Sequence, residues 1–417
     1  MFEKPQDTFL SWKTILRDSE RNVLSNAFVA YLFMLTGPMA ILLGAAQAGG
    51  LTEGEMISWL FAGIGLGGVF TIVLSLLYRQ PISIAWSLPA AAIVGASLQH
   101  LSFPEVVGAY VVTGVVITVI SLTGVAKKGM QLIPVPIIMG MVAGVFLPFC
   151  LKLITTFAID PWLAAITIGS FFIISSSRKY AGVLPPVLVA ALAGVLLIGL
   201  RQDFSTAPLE FSIVQPVIYL PVFNMKAMLE LVVPLTISVI GIHNTQGIAI
   251  LKKEGYDPPV NIMTLTCGLG SVAMGLLGSV PTCITGPATA ILNSSGKKES
   301  RYVGSLCLGT IMIIFALFAP VAIGLALMAP ANLIALLGGL ALLRVLQDAF
   351  QNAFANRFTL GALMAFMVTV SNVTFFNIGS AFWGLVAGCI LSLIMERQDF
   401  KYVLLKYEEM NSNSLEA

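Results

Sequence analysis

Pro287-Ala288-Thr289-Ala290-Ile291-Leu292-Asn293-Ser294-Ser295 repeats, 198 residues later, Pro89-Ala90-Ala91-Ala92-Ile93-Val94-Gly95-Ala96-Ser97, with identity at the Pro, two Ala, the Ile and the final Ser. Each copy follows a β-leaning run, Ile82-Ser83-Ile84-Ala85-Trp86 in one case and Val280-Pro281-Thr282-Cys283-Ile284-Thr285 in the other. The Pro then falls where a first helical turn accepts it without losing a hydrogen bond. Both stretches therefore read as a short strand that turns into a half-helix. Apolar segments interrupted by Pro or Gly at matching places in two halves of a chain point to the binding site of a secondary transporter.

The surrounding sequence suits a membrane. Of 417 residues, 57% are apolar and only 10% are charged, against roughly 25% charged in soluble domains. Charge-free windows include residues 22–52, 56–78, 106–126, 231–251, 258–296, 302–343 and 358–395. About 20 apolar residues cross the hydrocarbon as a helix, so the longest windows hold two crossings each. The spacing predicts crossings at about 22–46, 56–78, 81–100 (broken), 106–126, 130–151, 161–177 and 181–200. A second set is predicted at about 230–251, 259–279, 280–296 (broken), 302–320, 331–350, 358–372 and 378–395.

The expected fold is thus an all-α polytopic membrane protein of about 14 transmembrane segments, with the broken third and tenth segments at the midplane. Seven crossings per half oblige the second repeat to be inverted. The divisions expected are a cytoplasmic N-terminal segment (1–21), a first repeat (22–200), an external connection (201–229), a second repeat (230–396) and a cytoplasmic tail (397–417). Residues 6–20 place Phe9, Leu10, Trp12, Ile15 and Leu16 at helical spacing, as an amphipathic helix on a membrane surface would. The N-terminus lacks the basic-then-apolar pattern of a cleaved signal.

With both termini inside, 19 of the 22 Lys and Arg fall on internal segments and only Lys152, Arg201 and Lys226 outside, the bias expected when cytoplasmic loops hold the cations. Glycines crowd the second span (Gly63, Gly65, Gly67, Gly68) and the ninth (Gly268, Gly270, Gly275, Gly278), where helix backbones would approach closely. Five scattered cysteines and two histidines offer no metal cage, and neither a cofactor nor a metal is expected. The absence of His-Glu-x-x-His, Gly-x-Ser-x-Gly and any Ser/His/Asp set at membrane depth argues against an enzyme. No charged ring or repeated filter segment suggests a channel.

Ionisable groups at membrane depth are costly and usually functional. His243 lies in the most polar stretch inside any span, Ile240-Gly241-Ile242-His243-Asn244-Thr245-Gln246-Gly247; the other histidine, His100, falls beside an external loop. The interiors of spans one, three, eight and ten carry no acid, which disfavours a neutral heterocycle that needs a carboxylate partner. An organic anion fits better, held by the positive N-terminal ends of the half-helices. The residues expected at the site are Ala85, Trp86, Ser87 and Leu88; His243, Asn244 and Gln246; and Thr285, Gly286, Pro287, Ala288 and Thr289. Trp86 or Phe33 would face an aromatic ring, and His243, with an ordinary pKa near 6.5, is the candidate for proton coupling.

Three segments carry a family resemblance: Gly255-Tyr256 with Pro259-Val260, Arg79 and Pro81 with Ala85-Trp86-Ser87, and Ile378 to Leu385. They resemble the benzoate membrane transporters, over residues 20 to 400. That resemblance implies a benzoate/proton symporter of the bacterial inner membrane. More remotely the strand-plus-half-helix pattern is similar to the uracil and xanthine transporter fold. This implies a core domain (about 22–126 plus 230–320), a gate domain (about 130–200 plus 331–396) and a homodimer through the gates. Nucleobase carriers bind substrate with acids at the positions held here by His243 and Pro287, a departure that agrees with an anionic substrate. A same-fold carrier of another anion, or of a nucleobase, is the alternative reading.

Overall fold

In the computed structural model, residues 3–5, 11–123, 134–176, 185–202, 211–294, 296–376 and 378–400 are described. The elements in order are α1 (Trp12–Asp18), α2 (Arg21–Ala48), α3 (Glu53–Tyr78), β1 (Ile84–Trp86), α4 (Leu88–Ser97), α5 (Phe103–Leu122), α6 (Val135–Ile159), α7 (Pro161–Ser176) and α8 (Pro186–Arg201). There follow α9 (Met225–Lys253), α10 (Val260–Leu276), β2 (Thr282–Ile284), α11 (Gly286–Asn293), α12 (Arg301–Leu317), α13 (Ala319–Met328), α14 (Ala331–Phe354), α15 (Thr359–Val370) and α16 (Ser380–Met395). Among the described residues seven helical stretches are long and apolar enough to cross a membrane: α2, α3, α5, α6, α9, α14, and α12 together with the short turn before it. Seven shorter apolar helices accompany them, so the protein is a mostly helical polytopic membrane protein.

Local chemistry sets the boundaries. Thr52 and Glu55 form a capping box that starts α3, and Ser102 with Glu105 does the same for α5. Asn224 accepts the Lys226 N–H and starts α9 at Met225, ahead of the boundary expected at 230. The single crossing expected at 302–320 ends instead at Leu317, and Pro320 in the first turn of α13 begins a separate short helix. α1 falls inside the expected amphipathic stretch, with Trp12 and Leu16 exposed and Ile15 packed against Val23, Tyr302 and Val303; Phe9 and Leu10 lie outside the described residues.

Both broken segments are a strand followed by a helix. β1 and β2 pair antiparallel, Ile84 with Ile284, Ala85 with Cys283 and Trp86 with Thr282. The pairing extends symmetrically: Ser87 N donates to Pro281 O at 3.1 Å and Thr285 N to Ser83 O at 2.9 Å. Residues 83 and 281, like 87 and 285, are 198 apart, so one local two-fold relates the two copies. The same shift carries α2 towards α9, α3 towards α10, α5 onto α12, α6 towards α14, α7 onto α15 and α8 towards α16 in the order of elements.

A two-stranded ribbon is marginal by itself, so the flanking helices must satisfy its outer edges. The Thr71 hydroxyl of α3 accepts Ile84 N at 2.8 Å and donates to Ile84 O at 3.2 Å; Ser271 of α10 accepts Thr282 N at 3.1 Å. Helix pairing follows the same dyad, α3 against α12 and α10 against α5. Glycine permits it: a Cβ on Gly68 would lie 2.6 Å from Gly309 O, and one on Gly114 2.6 Å from Val272 N.

The chain divides into two compact units. The first, residues 1–130 and 149–343, contains every site residue named above, and a second apolar cluster in it joins Leu163, Ala164 and Ala190 to Leu333, Leu336 and Leu340. The other, residues 131–148 and 344–417, packs α15 along α16, with Gly361 and Gly388 each meeting the other's carbonyl.

Candidate functional site

The paired strands set the starts of α4 and α11 at opposite ends of one short ribbon. Ala85, Trp86 and Ser87 are buried and Leu88 is half-buried; Gly286, Ala288 and Thr289 are buried, Thr285 is half-buried and Pro287 is exposed. α9 closes the arrangement, its stretch Ser238–Asn244 packing on β2 and Thr245–Lys253 on α11. The Asn244 side-chain oxygen accepts Ile284 N at 3.1 Å and the Cys267 thiol at 3.5 Å. Gly247 packs against the Ile284 side chain with no room for a Cβ, and exposed Gln246 lies over Gly286, where a Cβ would meet its amide at 2.5 Å.

The two helix starts differ. Ser87 Oγ caps its own helix by accepting Ala90 N at 3.4 Å, and shares a hydrogen bond of 3.1 Å with Ser238 Oγ. The Thr285 hydroxyl turns away instead, donating to Ser83 Oγ at 2.7 Å, and gives α11 no side-chain cap. Pro287 has no N–H, so Gly286 and Ala288 carry the first-turn donors of α11, which have no partner inside the helix. These donors and the positive end of the helix dipole suit a carboxylate. α11, rather than α4, is the start without a side-chain cap.

His243 sits in a π-helical stretch of α9, Ser238–Asn244, where the Thr245 hydroxyl donates to Ile240 O at 3.0 Å. Wide turns of this kind recur at functional sites. His243 is only 8% exposed, and neither ring nitrogen has a hydrogen-bond partner among the described residues. A buried polar group left so costs about 1–3 kcal/mol and calls for an explanation. Asn244 Nδ2, Trp86 Nε1 and Ser279 Oγ are buried and unpartnered as well. Trp86 packs beneath Gly63 of α3, whose Cβ would lie 3.5 Å from the indole and 3.1 Å from Ser279 Oγ. Phe33 is half-buried on α2.

One acid escaped the sequence reading. Because α9 starts at Met225, Glu230 lies inside the helix, on a second π-helical stretch (Met228–Val232), and is 1% exposed. It accepts a hydrogen bond from Ser97 Oγ at the end of α4, and its other oxygen meets His100 Nε2 at 3.0 Å. Contrary to the expectation, span eight does carry a buried acid, and its partner is His100, in the turn that joins α4 to α5. The available signal was the pairing of a Glu at the edge of one apolar run with the second histidine at the edge of another.

The face carrying the 78–80, 255–259 and 298–302 segments is polar. A cavity of about 690 Å³ there is lined by Tyr78, Arg79, Tyr256, Asp257, Lys298 and Tyr302 among others, none of them an expected site residue. Glu3 caps the start of α10 through Asn261 N (3.1 Å) and Ile262 N (3.3 Å), and Tyr78 OH donates to Glu3 O. No group of three His, Cys, Asp or Glu able to hold a metal occurs among the described residues.

A crossed pair of strand-and-half-helix segments inside a bundle of membrane-length helices defines a class, the polytopic membrane transporters. The fold is shared with the transmembrane domain of a cyanobacterial bicarbonate transporter, BicA (TM-score 0.60, 17% identity, 93% of this chain and 99% of that one). It is shared also with SLC26A9 (TM-score 0.58, 15% identity, 93% of this chain and 71% of that one). Residues 17–394 match the family described as Benzoate membrane transport protein, and the chain belongs to that family. Its relatives include the inner membrane protein YdcO of Escherichia coli strain K12 (31% identity, covering 89% of this chain and 96% of that one). Another is the benzoate membrane transport protein of Acinetobacter baylyi (29% identity, covering 92% and 97%).

Proposed function

We propose that the protein is a secondary carrier that imports an aromatic carboxylate of the benzoate type together with a proton, and is not an enzyme. The observation that carries this reading is the uncapped start of α11 on the same ribbon that α9 and its unpartnered His243 pack against. The carboxylate takes the Gly286 and Ala288 N–H groups, Gln246 supplies a further donor, and the imidazole of His243 balances the charge when protonated. Ala85, Ser87, Leu88, Pro287 and Thr289 shape the remaining wall, and Asn244 holds it in place. Family membership supports the substrate class.

In this reading the seven long and seven short apolar helices make 14 segments in two inverted repeats, with the ribbon near the midplane of the inner membrane and both termini cytoplasmic. A core (about 22–126 plus 230–320) moves against a gate (about 130–200 plus 331–396) so that the site faces each side in turn, in a protein that assembles as a homodimer. Labelled benzoate counterflow into proteoliposomes, challenged with unlabelled benzoate, uracil and sulfate, tests the substrate. Competition by benzoate alone is expected; counterflow no higher than in empty vesicles ends the reading.

A further inference from the structure

We infer that Ser97, Glu230 and His100 form a proton-binding site at the end of α4 opposite the substrate end. Glu230 is fully enclosed, and an enclosed carboxylate needs a compensating charge or a proton of its own. The structure supplies both routes: Ser97 donates to one oxygen and the His100 ring, partly open to solvent, meets the other at 3.0 Å. The pair holds one proton, and enclosure favours it on the carboxyl, as carboxylic acid beside neutral imidazole, the form without separated charge. Releasing that proton leaves an enclosed negative charge beside a neutral ring.

Among the described residues the only recorded ion-pair partner of Glu230 is His100. The π-helical stretch that carries it packs on α5, on the first turn of α9 and on the following residues 233–237. Among the described residues of these elements and of α4, the other titratable or charged groups are Glu105 and Lys226, which lie near one another with Asn224, and the buried phenol Tyr110. Glu105 is itself an acid and takes its hydrogen bonds from Ser102 and Asn224.

The cluster is tied mechanically to the substrate site. α4 runs Leu88–Ser97, about 15 Å at the usual rise, from Ser87 at the ribbon to Ser97 at Glu230. Ser87 in turn bonds Ser238 on α9, so α4 and α9 are linked at both ends, by Ser87–Ser238 and by Ser97/His100–Glu230. A proton on the cluster favours α4 docked to α9; its loss favours separation, which displaces the ribbon end of the same helix. The cation bias puts this end on the outside, where His100 would take up the proton. This coupling, unlike the proton site itself, rests on the carrier reading proposed above.

The experiment uses purified full-length protein in lipid. Infrared difference spectra between acid and alkaline pH are expected to contain a carboxylic-acid carbonyl band that is missing in Glu230→Gln, and whose midpoint shifts in His100→Gln. Identical bands in wild type and Glu230→Gln, or an unmoved midpoint in His100→Gln, overturn the proposal; His100→Gln keeps the test open should Glu230→Gln misfold. In proteoliposomes the ratio of benzoate uptake driven by a pH gradient to benzoate counterflow is expected to fall in Glu230→Gln, and an unchanged ratio overturns the coupling. Wild-type protein with the Glu230 band but without benzoate counterflow would support the proton site while ending the substrate reading.

Discussion

The Asn244 side chain holds the main chain of β2, its Oδ1 accepting the Ile284 N–H at 3.1 Å. The residue beside His243 thus fixes the strand that leads into α11. Asn244→Ala strands a buried N–H and is expected to lower stability by about 1–3 kcal/mol. Asn244→Asp keeps an acceptor and should keep the Ile284 bond. Thermal unfolding of both in detergent, ranked against wild type, checks this.

Gly286 lets Gln246 of α9 lie over the start of α11, and Gly247 lets α9 approach β2. Alanine at 247 meets the buried Ile284 side chain and must shift α9 or β2, whereas alanine at 286 meets the Gln246 side chain and displaces its amide from the start of α11. Loss of benzoate counterflow is expected from Gly286→Ala with the protein still folded by size-exclusion chromatography. Gln246→Ala alone is expected to lower counterflow as well, since it removes the same donor, and unchanged counterflow in it would take Gln246 out of the site.

His243 has no hydrogen-bond partner among the described residues, so its removal strands no donor or acceptor and should cost transport more than stability. His243→Ala and His243→Gln are expected to unfold near the wild-type temperature while losing the dependence of benzoate uptake on external pH. Proton dependence unchanged in both would remove His243 from the coupling role.

Asp160, between α6 and α7, shows the reverse balance. Burial pushes its carboxyl up, but the Leu163 N–H and the Arg201 guanidinium at 2.8 Å more than offset this and hold it below the ordinary carboxylate value. A depressed acid stabilises the fold above its unfolded pKa, near 3.9, and that contribution fades as pH falls through the lower folded value. Asp160→Asn should therefore reduce the unfolding temperature at pH 7, with the difference from wild type shrinking below about pH 4. A difference that is constant with pH would assign the effect to packing.

The repeated Pro-Ala-x-Ala-Ile was legible because Pro and β-branched residues act locally, and it located the ribbon and both half-helices. Which half-helix start is open was not legible: Ser87 and Thr285 are equivalent in sequence, and only their hydroxyl partners, Ala90 N in one case and Ser83 in the other, separate them. Glu230 was missed because Asn224 starts α9 earlier than hydropathy suggests. The π-helical turns depend on shifts of backbone hydrogen bonds that no residue type announces. The break after Leu317 was missed as well, because the apolar run continues through Pro320 and hydropathy alone carries the crossing past it.

The most direct test is a structure of the protein with bound benzoate. The carboxylate is expected within hydrogen-bond reach of the Gly286 and Ala288 N–H groups, with His243 and Gln246 beside it. Benzoate bound away from the ribbon, or with its carboxylate against the capped start of α4 instead, would contradict the account.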